Sequence, residues 1–302
     1  MAQFKLLSAG LCFFFIACSS TTKINDAPMG KDFDKEGHRG CRGLMPENTI
    51  PAMLYAIDLG VNTLEMDICF SKDKKALLSH EPFFNHEITT KPNGTLIDEK
   101  TEKSYNIYRM NYDSVIKYDV GLRPHPRFPE QKKMRVVKPL LADLFDSVRV
   151  YMMTRKRPQV NYNIETKTLP ETDDKYHPAP AEFVELLMAV IRDKQVEDFV
   201  TIQSFDFRTL QYLHTHYPSI KTSMLIDIDN KNSFRKQMKD IGFTPTVYSP
   251  DFSLVTPDLI KQCHALKMKI IPWSVNDKAK IDELKKMGVD GIITDYPNLF
   301  NE

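Results

Sequence analysis

The sequence predicts an α/β protein, a TIM (β/α)8 barrel carrying a small insertion after its second strand. Three observations lead there. Short β-branched and apolar runs alternate with amphipathic stretches until eight strands are counted. The chain has 302 residues, and one barrel of this kind needs ~250. Polar and ionisable residues gather where the strand candidates end, which is where barrels assemble their sites.

Composition sets the outer limits. Hydrophobic residues make up 42% and charged residues 27%, enough apolar content to bury a full core and too much for a disordered chain. The 41 Lys+Arg and 40 Asp+Glu leave a net charge of +1, without the basic excess of a nucleic-acid partner. The five cysteines have no metal-like spacing. Only Cys41, Cys69 and Cys263 follow the N-terminal segment, an odd number that disfavours a disulfide framework.

At the N-terminus, Lys5 precedes an apolar run from Leu6 to Ala17, too short to span a bilayer and of signal-peptide size. The run ends in Phe15-Ile16-Ala17-Cys18, which resembles a bacterial lipobox with Cys18 as the lipidated residue. Ser19 to Lys35 is polar and aperiodic, as a tether would be. The expected organisation is a signal peptide over 1–17, a lipid-anchored tether over 18–35 and a barrel over 36–302. Such a protein is exported to the bacterial cell envelope and held on a membrane face.

The strands are expected near 36–39, 63–70, 159–166, 198–204, 222–227, 245–249, 269–275 and 291–294. Helical patterns fall at Pro46–Leu59, Leu140–Thr154, Ala179–Lys194, Phe207–Tyr217, Lys231–Ile241, Pro257–Leu266 and Lys278–Met287. Pro46 with Glu47 reads as the first turn of the first helix. Some seventy residues separate the second strand from the helix at 140, too many for a simple loop. Residues 82–137, with their spread of aromatics, are expected to form a small packed insertion over the barrel's catalytic face.

Glu65 and Asp67 are two apart on a strand and share one face of the pleat. With Glu165 at the end of the third strand they form three carboxylates without Cys, a donor set for a hard divalent cation, Ca²⁺ or Mg²⁺. The competing arrangement is ion pairing of these acids with Arg39 or Lys167. His38 and an incoming His80 form the natural acid/base pair. Arg39 and Lys167 beside a cation site call for an anionic group such as a phosphate between them. Gln203 is placed at the pocket wall, and Trp273, the only Trp, serves as wall or as packing. His214 and His216 are expected on the surface.

His38-Arg39-Gly40, Pro46-Glu47-Asn48-Thr49, Glu65-x-Asp67, His80, Glu165-x-Lys167 and Trp273-x-Val275-Asn276 together resemble the glycerophosphodiester phosphodiesterases. The likeness runs from about residue 35 to the C-terminus, with Glu81 where that family usually has Asp. It implies metal-dependent hydrolysis of small glycerophosphodiesters to an alcohol and glycerol 3-phosphate. The implied roles are Glu65, Asp67 and Glu165 on the divalent metal, His38 and His80 as acid and base, and Arg39 and Lys167 on the phosphate. No nucleic acid or obligate protein partner is implied. Two alternatives stay open at this point. One is a related barrel phosphodiesterase acting on intact or lyso-phospholipids, of phospholipase D or C type. The other is a non-catalytic, lipid-anchored binder of phosphodiesters.

Overall fold

Strand β2 (Thr63–Phe70) is buried at every position, as a parallel barrel strand must be when one face meets the barrel interior and the other meets helices. It is one of eight parallel strands in the computed structural model, which describes Met1 and residues 33–301. The others are β1 (Asp34–Gly37), β4 (Asn161–Thr166), β5 (Val200–Ser204), β6 (Lys221–Ile226), β7 (Val247–Pro250), β8 (Lys269–Ile270) and β9 (Gly291–Thr294). The pairing order is β8-β7-β6-β5-β4-β2-β1-β9. Closure comes from Asp290 N and Ile293 N donating to Ile270 O and Pro272 O at 3.0 Å each, and Val275 N donating to Ile293 O at 2.9 Å. The fold is the α/β barrel the sequence predicts.

The helices are α1 (Ile50–Asp58), a short α2 (Tyr112–Val115), α3 (Leu141–Arg155), α4 (Pro180–Asp193), α5 (Phe207–His216), α6 (Phe234–Ile241), α7 (Pro257–Ala265) and α8 (Lys278–Met287). Helix α4 shows how they attach. Phe183, Val184, Leu187, Met188 and Ile191 form one buried stripe at helical spacing, and Phe183 meets Phe70 of β2 edge-to-face at 4.7 Å. Each such side chain contributes about 1.5–3 kcal/mol of burial. His214 and His216 are exposed on α5, as expected.

Among the boundaries that differ from expectation, three have a clear local cause or bear on the site. Strand β1 ends at Gly37, so His38 and Arg39 stand in the following turn rather than in the strand. Helix α1 starts at Ile50, not at Pro46: Thr49 Oγ1 caps Ala52 N, and residues 46–49 are a turn held by the hydrogen bond from Thr49 Oγ1 to Pro46 O at 2.6 Å. Strand β8 stops at Ile270 because Pro272 has no N–H to donate to a ladder.

The segment after β2 first turns back as β3 (Ala76–Leu78), antiparallel on β2, and releases His80 at its end. Beyond it a second apolar cluster forms from Leu77, Phe84, Ile88, Ile97, Ile107, Val115 and Val120. Phe84 stacks on Tyr118 at 4.1 Å. The segment is tied to the turn after β1 through Gln131 Nε2 donating to Arg42 O at 2.8 Å and Lys132 N donating to Leu44 O at 2.9 Å. Cys41, Cys69 and Cys263 are buried free thiols. Among the described residues, no helix is long and apolar enough to cross a membrane. Of the expected signal-peptide and tether segment, residues 2–32, with Cys18, lie outside the described residues, whereas Asp34 and Lys35 belong to β1 and not to a tether, because they pair in register with Gly291 and Ile292.

Candidate active site

Parallel pairing brings the acids together. Asp67 of β2 is the register partner of Glu165 of β4, and Glu165 is in turn the partner of Gln203 of β5. Glu65 sits one pleat below Asp67 on the same face. Ligand oxygens of Glu65, Asp67 and Glu165 all lie within 4.8 Å of one another, and the three residues are buried.

The turn after β1 supplies the cations. Arg39 takes a positive φ of 51°, costly for a residue with a side chain, and this aims its N–H at Glu65 Oε2, 2.7 Å away. Its guanidinium donates to Glu47 Oε1 at 2.9 Å and lies 3.4 Å from Asp67 Oδ2. Gly40 (φ 86°) leaves no room for a Cβ, which would stand 2.8 Å from the Ala52 backbone. Lys167 Nζ donates to Glu165 Oε1 at 2.7 Å and lies 3.7 Å from Asp67 Oδ1. The acid cluster and the ion pairs weighed against it are therefore both present.

Burial pushes the Glu65 and Glu165 carboxyls above their ordinary range, with the neighbouring Asp67 adding to the rise in each. Burial would raise Asp67 too, but His80, Arg39 and Lys167 outweigh it and hold this acid well below the usual carboxylate range. The fit to a cation can be tested on one atom. Asp67 Oδ1 is buried and accepts no hydrogen bond, in a site whose donors are all carboxylate oxygens. A hard cation satisfies it, and Mg²⁺ and Ca²⁺ suit such ligands.

Each histidine has its Nδ1 tied to a carboxylate. His38 Nδ1 meets Asp295 Oδ1 at 2.6 Å, while its Nε2 stands 3.9 Å from Glu65 Oε2. His80 Nδ1 meets Glu81 Oε1 at 2.8 Å. Burial lowers both imidazoles. Asp295 opposes this at His38, whereas Arg39 and Lys167 deepen it at His80, which falls to about 4. Both are thus held in a fixed tautomer with Nε2 free for proton transfer.

A polar cleft of about 200 Å³ opens between these groups, and His38, Arg39, Glu65, His80, Gln203 and Trp273 all line it. Gln203 Nε2 donates to Glu65 Oε1 at 2.8 Å. Trp273 is both wall and packing: its Nε1 donates to Ser249 O at 2.9 Å and its ring meets Phe205 edge-to-face at 5.5 Å. Glu165 lines the cleft as well, and Asp67 and Lys167 adjoin it through Glu165.

Sequence reasoning missed Asp295, which holds His38 still. Asp295, just past β9, accepts from Arg42 Nε and Nη2 at 2.9 and 3.1 Å and from Asn276 Nδ2 at 2.6 Å. The concentration of polar residues at strand ends was the signal for it. Asn48 grips Asp67 twice, donating to Oδ2 at 2.8 Å and accepting from its N–H at 3.1 Å.

The sequence profile of the glycerophosphoryl diester phosphodiesterase family matches residues 38–299, a span that includes every one of these groups. The chain belongs to that family. Among its curated relatives, a Bacillus altitudinis glycerophosphodiester phosphodiesterase is 27% identical over 267 residues, covering 86% of this chain and 94% of the relative. A Bacillus subtilis glycerophosphodiester phosphodiesterase is 24% identical over 310 residues, covering 98% and 95%. Among solved structures, a Silicibacter pomeroyi protein assigned to the glycerophosphoryl diester phosphodiesterases superposes with a TM-score of 0.80 at 27% identity, over 90% of this chain and 93% of its own. An Oleispira antarctica phosphodiesterase, solved with the product sn-glycerol-3-phosphate, shares the fold with a TM-score of 0.69 at 16% identity, over 89% and 98%.

Proposed function

We propose that this family member cleaves glycerophosphodiesters to an alcohol and glycerol 3-phosphate, with a divalent cation held by Glu65, Asp67 and Glu165. The observation that carries the reading is the pair of carboxylate-oriented histidines, His38 and His80, on one cleft with those three acids. When bound, Mg²⁺ or Ca²⁺ supplies positive charge to the phosphate oxygens and lowers the pKa of a nearby hydroxyl.

The protein's own groups do the rest. Arg39 and Lys167 face the phosphate and hold its developing negative charge. One histidine takes a proton at Nε2 from the attacking hydroxyl, and the other gives its proton to the departing alkoxide. One water is consumed, either as that attacking group or in opening the cyclic phosphate that a glycerol hydroxyl would form. Asp295 and Glu81 keep the two Nδ1 atoms occupied, so that both transfers occur at Nε2. Trp273 and Gln203 form the wall against which the glycerol end rests.

The N-terminal address belongs to the same reading. A signal peptide over 1–17, a lipid on Cys18 and a tether running from there to β1 would place the barrel at the bacterial cell envelope, where the composition of that segment supports export.

His38→Ala and His80→Ala should each lower turnover of glycerophosphocholine by a factor on the order of 10²–10⁴ while the circular dichroism spectrum is unchanged. Wild-type turnover in either variant would overturn the assignment of the pair.

A further inference from the structure

A second cleft, of about 330 Å³, joins the catalytic mouth and shares His80, Glu165 and Phe205 with it. Its walls are mostly apolar: Pro82 and Phe83 from the insertion, Leu169 and Tyr176 from the loop after β4, and Phe205 from the loop after β5. Leu169 is 54% exposed and Phe205 37%, so two large apolar side chains face solvent beside the reacting groups. Such exposure at a concave site marks a place where apolar surface is covered by a ligand.

The cleft is a built one. His177 clamps the β4 loop, its Nε2 accepting from Leu169 N at 3.0 Å and its Nδ1 donating to Pro178 O at 2.9 Å. Arg208 holds Asp173 of the same loop through two hydrogen bonds of 2.7 and 3.0 Å. The insertion then fastens to that loop. Arg109 Nη2 donates to Asp174 O at 2.7 Å, Asn106 Nδ2 donates to Lys175 O at 2.9 Å, and Phe83 meets Tyr176 edge-to-face at 6.2 Å.

Glu165 is engaged by Lys167, and Glu81 and Lys103 bring one charge of each sign to the lining, so the apolar walls rather than net charge decide the occupant.

Resting on the phosphodiesterase reading, we propose that this cleft receives the alcohol that leaves, and that it selects longer apolar alkyl groups over short ones. The glycerophosphate half occupies the polar cleft by Trp273, and the ester oxygen of the leaving alcohol passes His80 into the apolar one. Remote contacts of this kind raise kcat/KM without touching the reacting atoms.

The test is a series of glycerophospho-n-alkyl esters from ethyl to hexyl, whose leaving alcohols have nearly equal pKa. The expected result is a gain in kcat/KM of about threefold to fourfold per methylene. Leu169→Ser, which removes apolar surface from the wall, flattens the series. A flat series in the wild type, with every ester hydrolysed, overturns this proposal alone. Failure to hydrolyse any ester in the presence of Mg²⁺ or Ca²⁺ overturns the activity reading and the proposal with it.

Discussion

Buried carboxylates line the barrel axis at both of its ends, and the two ends treat them in opposite ways. At the C-terminal end, Glu65, Asp67 and Glu165 are met by Arg39 and Lys167, and Asp67 stays ionised. At the N-terminal end, Glu36 and Asp34 border a cavity of about 150 Å³. There the nearest partner of Glu36 is neutral, Asn163 Nδ2 at 2.7 Å, and burial followed by Asp34 raises its carboxyl well above the ordinary value of 4.5. One end holds charge in place with cations, and the other disposes of charge by keeping a proton. The two are joined side chain to side chain, because Asn163 Nδ2 also donates to Gln203 Oε1 at 3.0 Å and Gln203 reaches Glu65. Burial of an acid is therefore no sign of function; its company is.

The largest effect should come from removing charge at the functional end. Asp67→Asn keeps the shape and the Asn48 contacts but leaves the cation site one charge short, and turnover should fall by a factor on the order of 10³ or more. Thermal unfolding in chelator checks that the fold survives, and a loss smaller than tenfold would remove Asp67 from the cation site.

A smaller effect is expected one shell out. Asp295→Asn removes the carboxylate that fixes the His38 tautomer and strands Arg42, which should cost roughly 10–100-fold in kcat/KM. Because the variant imidazole loses its anionic partner, its protonation should shift down in a histidine-resolved NMR titration. An unchanged titration would separate Asp295 from His38 function.

The smallest change is expected at the other end. The raised Glu36 carboxyl means that the folded protein binds this proton more tightly than the unfolded chain does. Its stabilisation is complete below the ordinary pKa of 4.5 and is lost as pH climbs through the higher folded value. Glu36→Gln keeps a hydrogen-bonding side chain and removes that loss. Its melting temperature should exceed wild type by about 2–4 °C at pH 8, with the advantage gone at pH 4, for a gain of about 1 kcal/mol. Activity should stay within about twofold, since a substitution away from the reacting groups leaves their geometry intact. An advantage that grows toward acid would reverse the sign of this account.

The barrel was legible because its signals are local. Eight apolar runs at a regular spacing specify parallel strands, and two acids at i and i+2 must share a face. The boundaries that shifted did so where a single side chain overrides a pattern, as when Thr49 rather than Pro46 begins α1, or when Pro272 cuts β8 short. Asp295 was not read as a support because its partner, His38, lies 257 residues away and meets it only after closure of the barrel. The apolar cleft was invisible for the same reason, since its walls come from three loops far apart in the chain.

The cation site is the centre of this account, and calorimetry on chelator-treated enzyme tests it most directly. Titration with Mg²⁺ or Ca²⁺ near neutral pH should show one ion bound per chain, restored turnover, and release of protons from the raised carboxyls of Glu65 and Glu165. Asp67→Asn should abolish binding. Full turnover in chelator, or binding that persists unchanged in Asp67→Asn, would contradict the assignment of these three acids to a metal.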